Sequence, residues 1–573
     1  MTSAARVFVL GLVLAAFALP AAVSANGDPS DRAGERAKTT EIQILGLNDF
    51  HGNLEPPTGS SGRIGGSEPG GNAGGVEFLA THVRTLRSTN PNTLFVSAGD
   101  LIGASPLISA LFHDEPTIEA FNLMGLDYNG VGNHEFDEGV DELLRMQGGG
   151  CHPVDGCQDG DPFLGADFEF LAANVAYKDT GKTIFPPYAI HHFPGVKVAV
   201  IGMTLEGTPA IVSPAGISHV NFFDEAETVN ALVPHLKKQG IETIIVLLHE
   251  GGATSNPLNP TTINQCGTLT GALPPIVQAM DDEVDVVVTG HTNWAVNCVI
   301  DNKIVTGAAS FSRLVTDIDL TVSRATKDVV AAKVENKIVT RTVDKASDLT
   351  ALVAKYKAIS APIANRIIGS ITADITRAAN PAGESALGDV IADAQLDATN
   401  DPGFGDAVVA FMNPGGIRAD LTFAGSPAGE GDGNVTYGEM FTVQPFGNSM
   451  VTMTLTGAQI ERLLEEQFAP CTFTSNRVLQ VSTGFSYTWN AAGGPCDKVD
   501  PSTIKIGGVT VVAGNSYRVT VNSFLADGGD SFPILTQGTN RLGGEVDTDS
   551  LERYIATNSP VSPGPQNRIT RIN

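Results

Sequence analysis

The stretch Ile42-Gln43-Ile44-Leu45-Gly46-Leu47-Asn48-Asp49-Phe50-His51-Gly52 runs from a buried strand straight into polar residues. Three more strand-like runs end the same way: Thr93–Ser97 leads to Gly99-Asp100, Val246–Leu248 to His249, and Val284–Thr289 to Gly290-His291-Thr292-Asn293. A fifth segment, Gly132-Asn133-His134-Glu135, follows only a short Leu-Asp-Tyr run and reads as the exception. In an α/β sheet, ligands gather beyond the carboxyl ends of the strands, so these segments are expected to meet at one rim. What meets there is Asp, His and Asn, the hard-oxygen and imidazole donors that suit Zn, Mn, Fe or Co. The set is too large for one ion. It suits two ions sharing a carboxylate, the arrangement that clamps phosphoryl oxygens during in-line displacement.

Spacing refines the roles. Asp49 and His51 are two apart, so at a strand end they share a face. Asp100 has no charged neighbour in sequence, and bridging two cations is the economical use for it; a helix cap is the competing reading. Asn133 offers a neutral amide oxygen. His134 and Asp137 are three apart and meet on a helical turn. A His oriented by a carboxylate is the usual acid/base or charge-stabilising pair. Glu135 is assigned to structure. His249 and His291 stand at strand ends as ligands, against the commoner fate of a buried structural His. Asn293 is a weaker candidate of the same kind. The remaining histidines get no chemistry: His82 and His235 fall in helical patterns, His191 and His192 in a strand-like run, and His113, His152 and His219 in loops. All 11 His lie at or before His291, so the second half cannot hold an imidazole site and is expected to bind substrate.

In that half, Asn413-Pro414-Gly415-Gly416-Ile417-Arg418 follows the strand-like run Ala407–Met412. Gly415 and Gly416 let backbone approach a ligand, and Arg418 supplies a phosphate fork. Asn48–Gly52, Gly132–Asp137 and Asn413–Arg418, in this order, resemble the secreted 5'-nucleotidase family, and the resemblance covers nearly the whole chain after the leader. The fold it implies is a layered α/β calcineurin-like metallophosphoesterase domain, joined by a helical connector to a smaller α+β substrate-binding domain. It implies two divalent ions (Zn, Mn, Co or Mg), one on Asp49, His51, Asp100 and Asn293, the other on Asp100, Asn133, His249 and His291. It also implies a His134–Asp137 dyad near the phosphate. Phe446 and Phe524 match a family pair that sandwiches the nucleobase, with Asp530 near the ribose; core packing is the commoner fate of Phe. Stacking of this kind tolerates any base. Phe485 reads as core. The implied reaction is release of phosphate from nucleoside 5'-monophosphates. Relatives include UDP-sugar hydrolases, cyclic-nucleotide phosphodiesterases and a thiosulfohydrolase; UDP-sugar hydrolase or 2',3'-cyclic-nucleotide phosphodiesterase/3'-nucleotidase on the same metals is the alternative, and a non-catalytic surface binding protein is the alternative of another class. Many relatives carry a basic residue just before the Glu384-Ser385 segment; here the nearest is Arg377.

At 573 residues the chain is too long for one core. The expected organisation is a secretory leader at 1–25, a disordered polar segment at 26–40, the metal domain at 41–342, a helical connector at 343–368, and the substrate domain at 369–573. Clear strands are Ile42–Leu47, Thr93–Ser97, Val196–Ile201, Thr243–Leu248 and Lys303–Thr306; Val76–Arg87 and Ser385–Ala398 read as helices. Arg6, the apolar Val7–Leu19 and Val23-Ser24-Ala25 have the pattern of a cleaved signal, too short for a lasting anchor. A net charge of −28 disfavours nucleic-acid polymers and anionic membranes, but not a small phosphorylated metabolite, because bound dications reverse the local field. Six Cys in an exported chain suggest disulfides, and proximity suggests Cys151–Cys157, Cys266–Cys298 and Cys471–Cys496.

Overall fold

The computed structural model describes residues 38–573 except 66–70, 211, 213, 427 and 473–474, so the leader and most of the polar segment after it lie outside the described residues. The first unit is two six-stranded sheets packed face to face. One runs Val329–Ile338, Leu314–Ser323, Thr39–Leu47, Thr93–Ser97, Tyr128–Gly130, Glu169–Leu171, with the last four strands parallel. The other runs Ala295–Ile300, Lys303–Ala308, Val286–Thr289, Thr243–His249, Val196–Thr204, Tyr188–Phe193, with its four central strands parallel.

Alternation along each strand explains the layering. Ile42, Ile44, Leu94 and Val96 pack between the sheets against Val198, Val200, Ile245 and Val288. Leu45, Leu47 and Phe95 point the other way, onto the helices Val76–Arg87, Glu115–Met124 and Val140–Gly148. Leu349, Val353 and Tyr356, from the helix Ser347–Ala364 inside the expected connector, join that outer core. The helices Glu225–Lys238 and Leu273–Ala279 cover the second sheet. The result is the layered α/β unit expected from the sequence.

Two expectations change. The first strand begins at Thr39, inside the segment expected to be disordered, because Thr39 and Thr40 pair with Ser323 and Val322 and the Thr40 hydroxyl donates to the Pro194 carbonyl at 2.7 Å. Tyr128–Gly130 is a parallel strand next to Thr93–Ser97, so Gly132–Glu135 also follows a strand end and is no exception.

The second unit is built on the sheet Gln480–Val481, Val409–Met412, Ser516–Asn522, Ser449–Thr456, Thr539–Val546. The helix Ala386–Asp397 packs beside it, capped by Ser385, whose hydroxyl accepts from the Gly388 N–H at 3.1 Å. Phe485 is buried in this core. The three disulfides join Cys151 to Cys157, Cys266 to Cys298 and Cys471 to Cys496. Among the described residues no helix is long and apolar enough to cross a membrane.

Candidate active site

Five strands of the first unit deliver their polar ends to one rim. Asp49 and His51 follow Thr39–Leu47, and between them Phe50 points into the helical core, edge-on to Phe121 at 5.0 Å. Asp100 follows Thr93–Ser97, Asn133 and His134 follow Tyr128–Gly130, His249 ends Thr243–His249, and His291 follows Val286–Thr289. Asp49, His51, Asp100 and His291 all have left-handed backbone, with φ of 51°, 49°, 53° and 68°. Such conformations cost free energy for residues other than Gly and gather at functional sites. Gly99 is required by crowding: a Cβ there would stand 2.6 Å from the Gly132 nitrogen and 2.7 Å from His249 Nδ1.

The hydrogen bonds fix which nitrogen each His offers. His51 Nδ1 lies 2.9 Å from the Gly103 carbonyl and His249 Nδ1 lies 2.7 Å from the Ala98 carbonyl. Each Nδ1–H therefore donates to a carbonyl oxygen, and each Nε2 lone pair turns to the rim, the usual way a metal-binding His is oriented. His249 Nε2 stands 3.0 Å from Asp100 Oδ2 and 3.1 Å from Asn133 Oδ1. His51 Nε2 stands 3.7 Å from the same Asp100 oxygen and 3.8 Å from Asp49 Oδ1. His291 Nδ1 is 2.9 Å from Asn133 Oδ1. Ligand atoms of His51, Asp100 and His134 lie within 4.8 Å of one another, as do those of Asp100, His249 and His291. The two triples share Asp100. Asn293, φ 61°, donates its amide to the His291 carbonyl at 3.1 Å, and among the described residues no hydrogen bond joins its side chain to the rest of the group.

The donor set fits divalent cations on its own chemistry. Asp49 Oδ1 is buried without a hydrogen-bond partner, while Oδ2 accepts from Asn48 at 2.5 Å. Burial pushes the Asp49 carboxyl up to about 7 against the pull of His249. Burial would lower His249, but Asp100 beside it holds the imidazole up at about 10, with a proton on Nε2 that a divalent cation would displace. Burial presses His51 and His291 down to about 3, the neutral state a ligand needs. Glu135 is a brace: its carboxylate accepts from the backbone N–H of Asp100, Leu101 and Gly132 at 2.9, 2.9 and 2.7 Å.

His134 Nδ1 pairs with Asp137 Oδ2 at 2.8 Å. The second unit reaches this point. Phe446 stacks on the His134 ring at 5.8 Å and 17°, and the Arg418 guanidinium lies 5.8 Å from the Phe446 centroid. Phe446 is thus flanked by groups of the rim; among the described residues no ring contact joins it to Phe524. Phe524 is half-buried, against the second-unit core and beside Gly529. Asn413 donates to Asp530 at 2.7 Å, and Asp530 also pairs with Arg477. Gly415 is exposed next to Asp530, and Gly416 is buried.

Sequence reasoning assigned no role to Arg477 or Asn48. Arg477 helps depress His291, which brings a second-unit charge to the metal rim. Its one sequence signal is being the sole basic residue between Arg462 and Lys498. Three arginines gather near the segment before Glu384, where no basic residue stands. Arg377, Arg418 and Arg571 line one cleft of about 430 Å³, in which Arg571 donates to the Pro381 carbonyl at 3.2 Å.

Residues 42–294 match the calcineurin-like phosphoesterase family and residues 367–537 match the 5'-nucleotidase C-terminal domain. A cell wall protein of Listeria monocytogenes, Lmo0130, is 32% identical over 551 residues, 91% of this chain and 67% of that one. The endonuclease YhcR of Bacillus subtilis is 30% identical over 555 residues, 95% of this chain; the chain spans only 42% of that relative's length. The crystal structure of a 5'-nucleotidase precursor from Thermus thermophilus superposes with a TM-score of 0.74 at 25% identity, covering 93% of this chain and all of that one.

Proposed function

The chain belongs to the 5'-nucleotidase family of calcineurin-like phosphoesterases, and from that premise we propose that it is an exported 5'-nucleotidase, releasing phosphate from nucleoside 5'-monophosphates. One observation carries this reading: two donor triples share Asp100, and Arg418 and Phe446 of the second unit stand over them. Asp49, His51, Asp100 and Asn293 hold one divalent cation; Asp100, Asn133, His249 and His291 hold the other. Such a pair supplies charge stabilisation for phosphoryl oxygens and activation of the attacking water. His134, oriented by Asp137, stabilises charge on the leaving side. Arg418 binds phosphate oxygens, Asn413 and the Gly415-Gly416 backbone border them, and Phe446, Phe524 and Asp530 hold the nucleoside. Export is supported by the three disulfides, which persist in oxidising compartments.

The test is phosphate release from a panel of nucleoside monophosphates, sugar nucleotides and cyclic nucleotides, with metal content measured beside it. Highest kcat/KM on a 5'-monophosphate is expected; highest turnover on a sugar nucleotide or cyclic nucleotide would replace the assignment. The aromatic pair gives a sharper check. Each base-stacking contact is worth about 1–3 kcal/mol. Phe446→Ala and Phe524→Ala should therefore lower kcat/KM on nucleotides while barely changing hydrolysis of a small aryl phosphate. A packing residue behaves otherwise, losing about 3–5 kcal/mol of stability and harming both substrates alike. Phe524, tucked beside Gly529, is the stricter case of the two.

A further inference from the structure

Asn48 is a buried polar residue of the rim to which the reaction gives no task. It is 3% exposed, and it stands in the chain between the strand Thr39–Leu47 and the ligand Asp49. Its amide is fully used. Oδ1 accepts from the Ala308 N–H at 2.7 Å, and Nδ2 donates to the Ala309 carbonyl at 2.6 Å and to Asp49 Oδ2 at 2.5 Å. The two backbone partners fix which way the amide faces. Turned over, it would set N–H against N–H at Ala308 and oxygen against oxygen at Ala309. Asn48 therefore presents a donor to Asp49.

Ala308 ends the strand Lys303–Ala308 of the second sheet, so Asn48 also ties the Asp49 strand end to the opposite sheet. The segment that follows is shaped around this contact. Ala309, Phe311 and Ser312 all have left-handed backbone, with φ of 58°, 58° and 56°. Residues other than Gly stay in that region only where their surroundings hold them there. Here the Phe311 N–H donates to the Asp49 carbonyl at 2.8 Å, and the Ser312 hydroxyl accepts from the Gly75 N–H at 2.9 Å.

The consequence falls on the Asp49 carboxylate. Oδ2 is taken by Asn48, while Oδ1 is buried without a hydrogen-bond partner, 3.8 Å from His51 Nε2. On the two-metal reading of the rim, we propose that Asn48 is a positioning residue: it makes Asp49 a one-oxygen ligand and so fits the position of Asp49 and His51 to a transition-metal cation and against calcium. A carboxylate free on both oxygens can close on a cation with both, a mode open to calcium as it gathers about 6–8 oxygens. With Oδ2 held back, the position offers Asp49 Oδ1, the His51 imidazole, Asp100 and the Asn293 amide. That mixed nitrogen and oxygen set suits zinc, manganese or cobalt. A carboxylate at position 48 would keep an acceptor for the Ala308 N–H but bring no N–H to Asp49 or to the Ala309 carbonyl.

Titration of the metal-free, full-length protein with manganese alone decides the matter, comparing the wild type with Asn48→Asp and Ser312→Ala. The wild type should take up two ions. Support behind a metal ligand is worth about 10–100-fold in affinity, so Asn48→Asp should bind one ion more weakly by that factor and keep the affinity of the other. Its hydrolysis of an aryl phosphate should be lost at limiting manganese and return as manganese is raised. Ser312→Ala loosens the same segment without touching the Asp49 carboxylate, and it should bind both ions as the wild type does. A folded Asn48→Asp with both affinities unchanged or both equally weakened would overturn the positioning role, as would loss of the same ion from Ser312→Ala. A wild type that binds fewer than two ions would sink the two-metal reading itself and this inference with it. The calcium arm needs no variant. Excess calcium should displace neither ion from the manganese-loaded wild type, and release of one ion would overturn the selectivity.

Discussion

Asp100→Asn is expected to abolish hydrolysis with the fold intact. Asp100 belongs to both donor triples, and no other residue does. Its Oδ2 faces His249 Nε2 at 3.0 Å and His51 Nε2 at 3.7 Å. Burial would push this carboxyl up, but His249 and His134 beside it hold it below the ordinary carboxylate range, so it offers a full negative charge. An amide there removes that charge from both metal positions at once. Metal charge stabilisation of the transition state is worth several kcal/mol, so a loss of at least ~10³-fold is expected. The backbone should survive, because Asp100 Oδ1 accepts from the His134 N–H at 2.9 Å and an amide oxygen accepts equally well. The measurements are activity at low metal concentration, metal content and Tm. A variant that keeps most of its activity there would sink the bridging role.

What was legible in the sequence follows from local chemistry. Thr93–Ser97 and Thr243–His249 announce themselves as apolar runs, because strands buried on both faces carry no polar alternation. Asp49, His51, Asp100, His249 and His291 were found by their place at the end of such a run, while Asn133 and His134 followed no apolar run that could be read as a strand. Leu314–Ser323 and Val329–Ile338 were not singled out: Asp317 and Asp319 interrupt one, exposed residues fill the other, and both depend on antiparallel pairing that reaches back to Thr39–Gly46. Tyr128–Gly130 is too short to read alone and exists through its two parallel neighbours. The stacking of Phe446 on His134 and the reach of Arg477 toward His291 arise from how the two units dock, which no local pattern encodes. His113 and His152 read as bland loop residues for the same reason: 39 positions separate two rings that lie face to face.

His134→Ala should separate chemistry from metal binding. Its ring is close enough to His51 and Asp100 to be a ligand, so geometry alone leaves two roles open. Asp137 argues for the charge-stabilising one. Burial would lower the His134 imidazole, but Asp137 at 2.8 Å and Asp100 together hold it above its ordinary value. A protonated His that gives its Nδ1–H to a carboxylate is a good partner for developing negative charge. The variant is expected to retain its metal content and lose about 10²–10⁴ in kcat, the usual worth of one such group. Asp137→Asn should cost less and also move the pH profile. The active form carries the proton, so activity falls as pH rises through the His134 pKa. Without Asp137 that pKa drops, and the alkaline limb of kcat/KM must shift to lower pH. Loss of an ion from His134→Ala would make the residue a ligand. An unmoved alkaline limb in Asp137→Asn would mean that Asp137 only positions the ring.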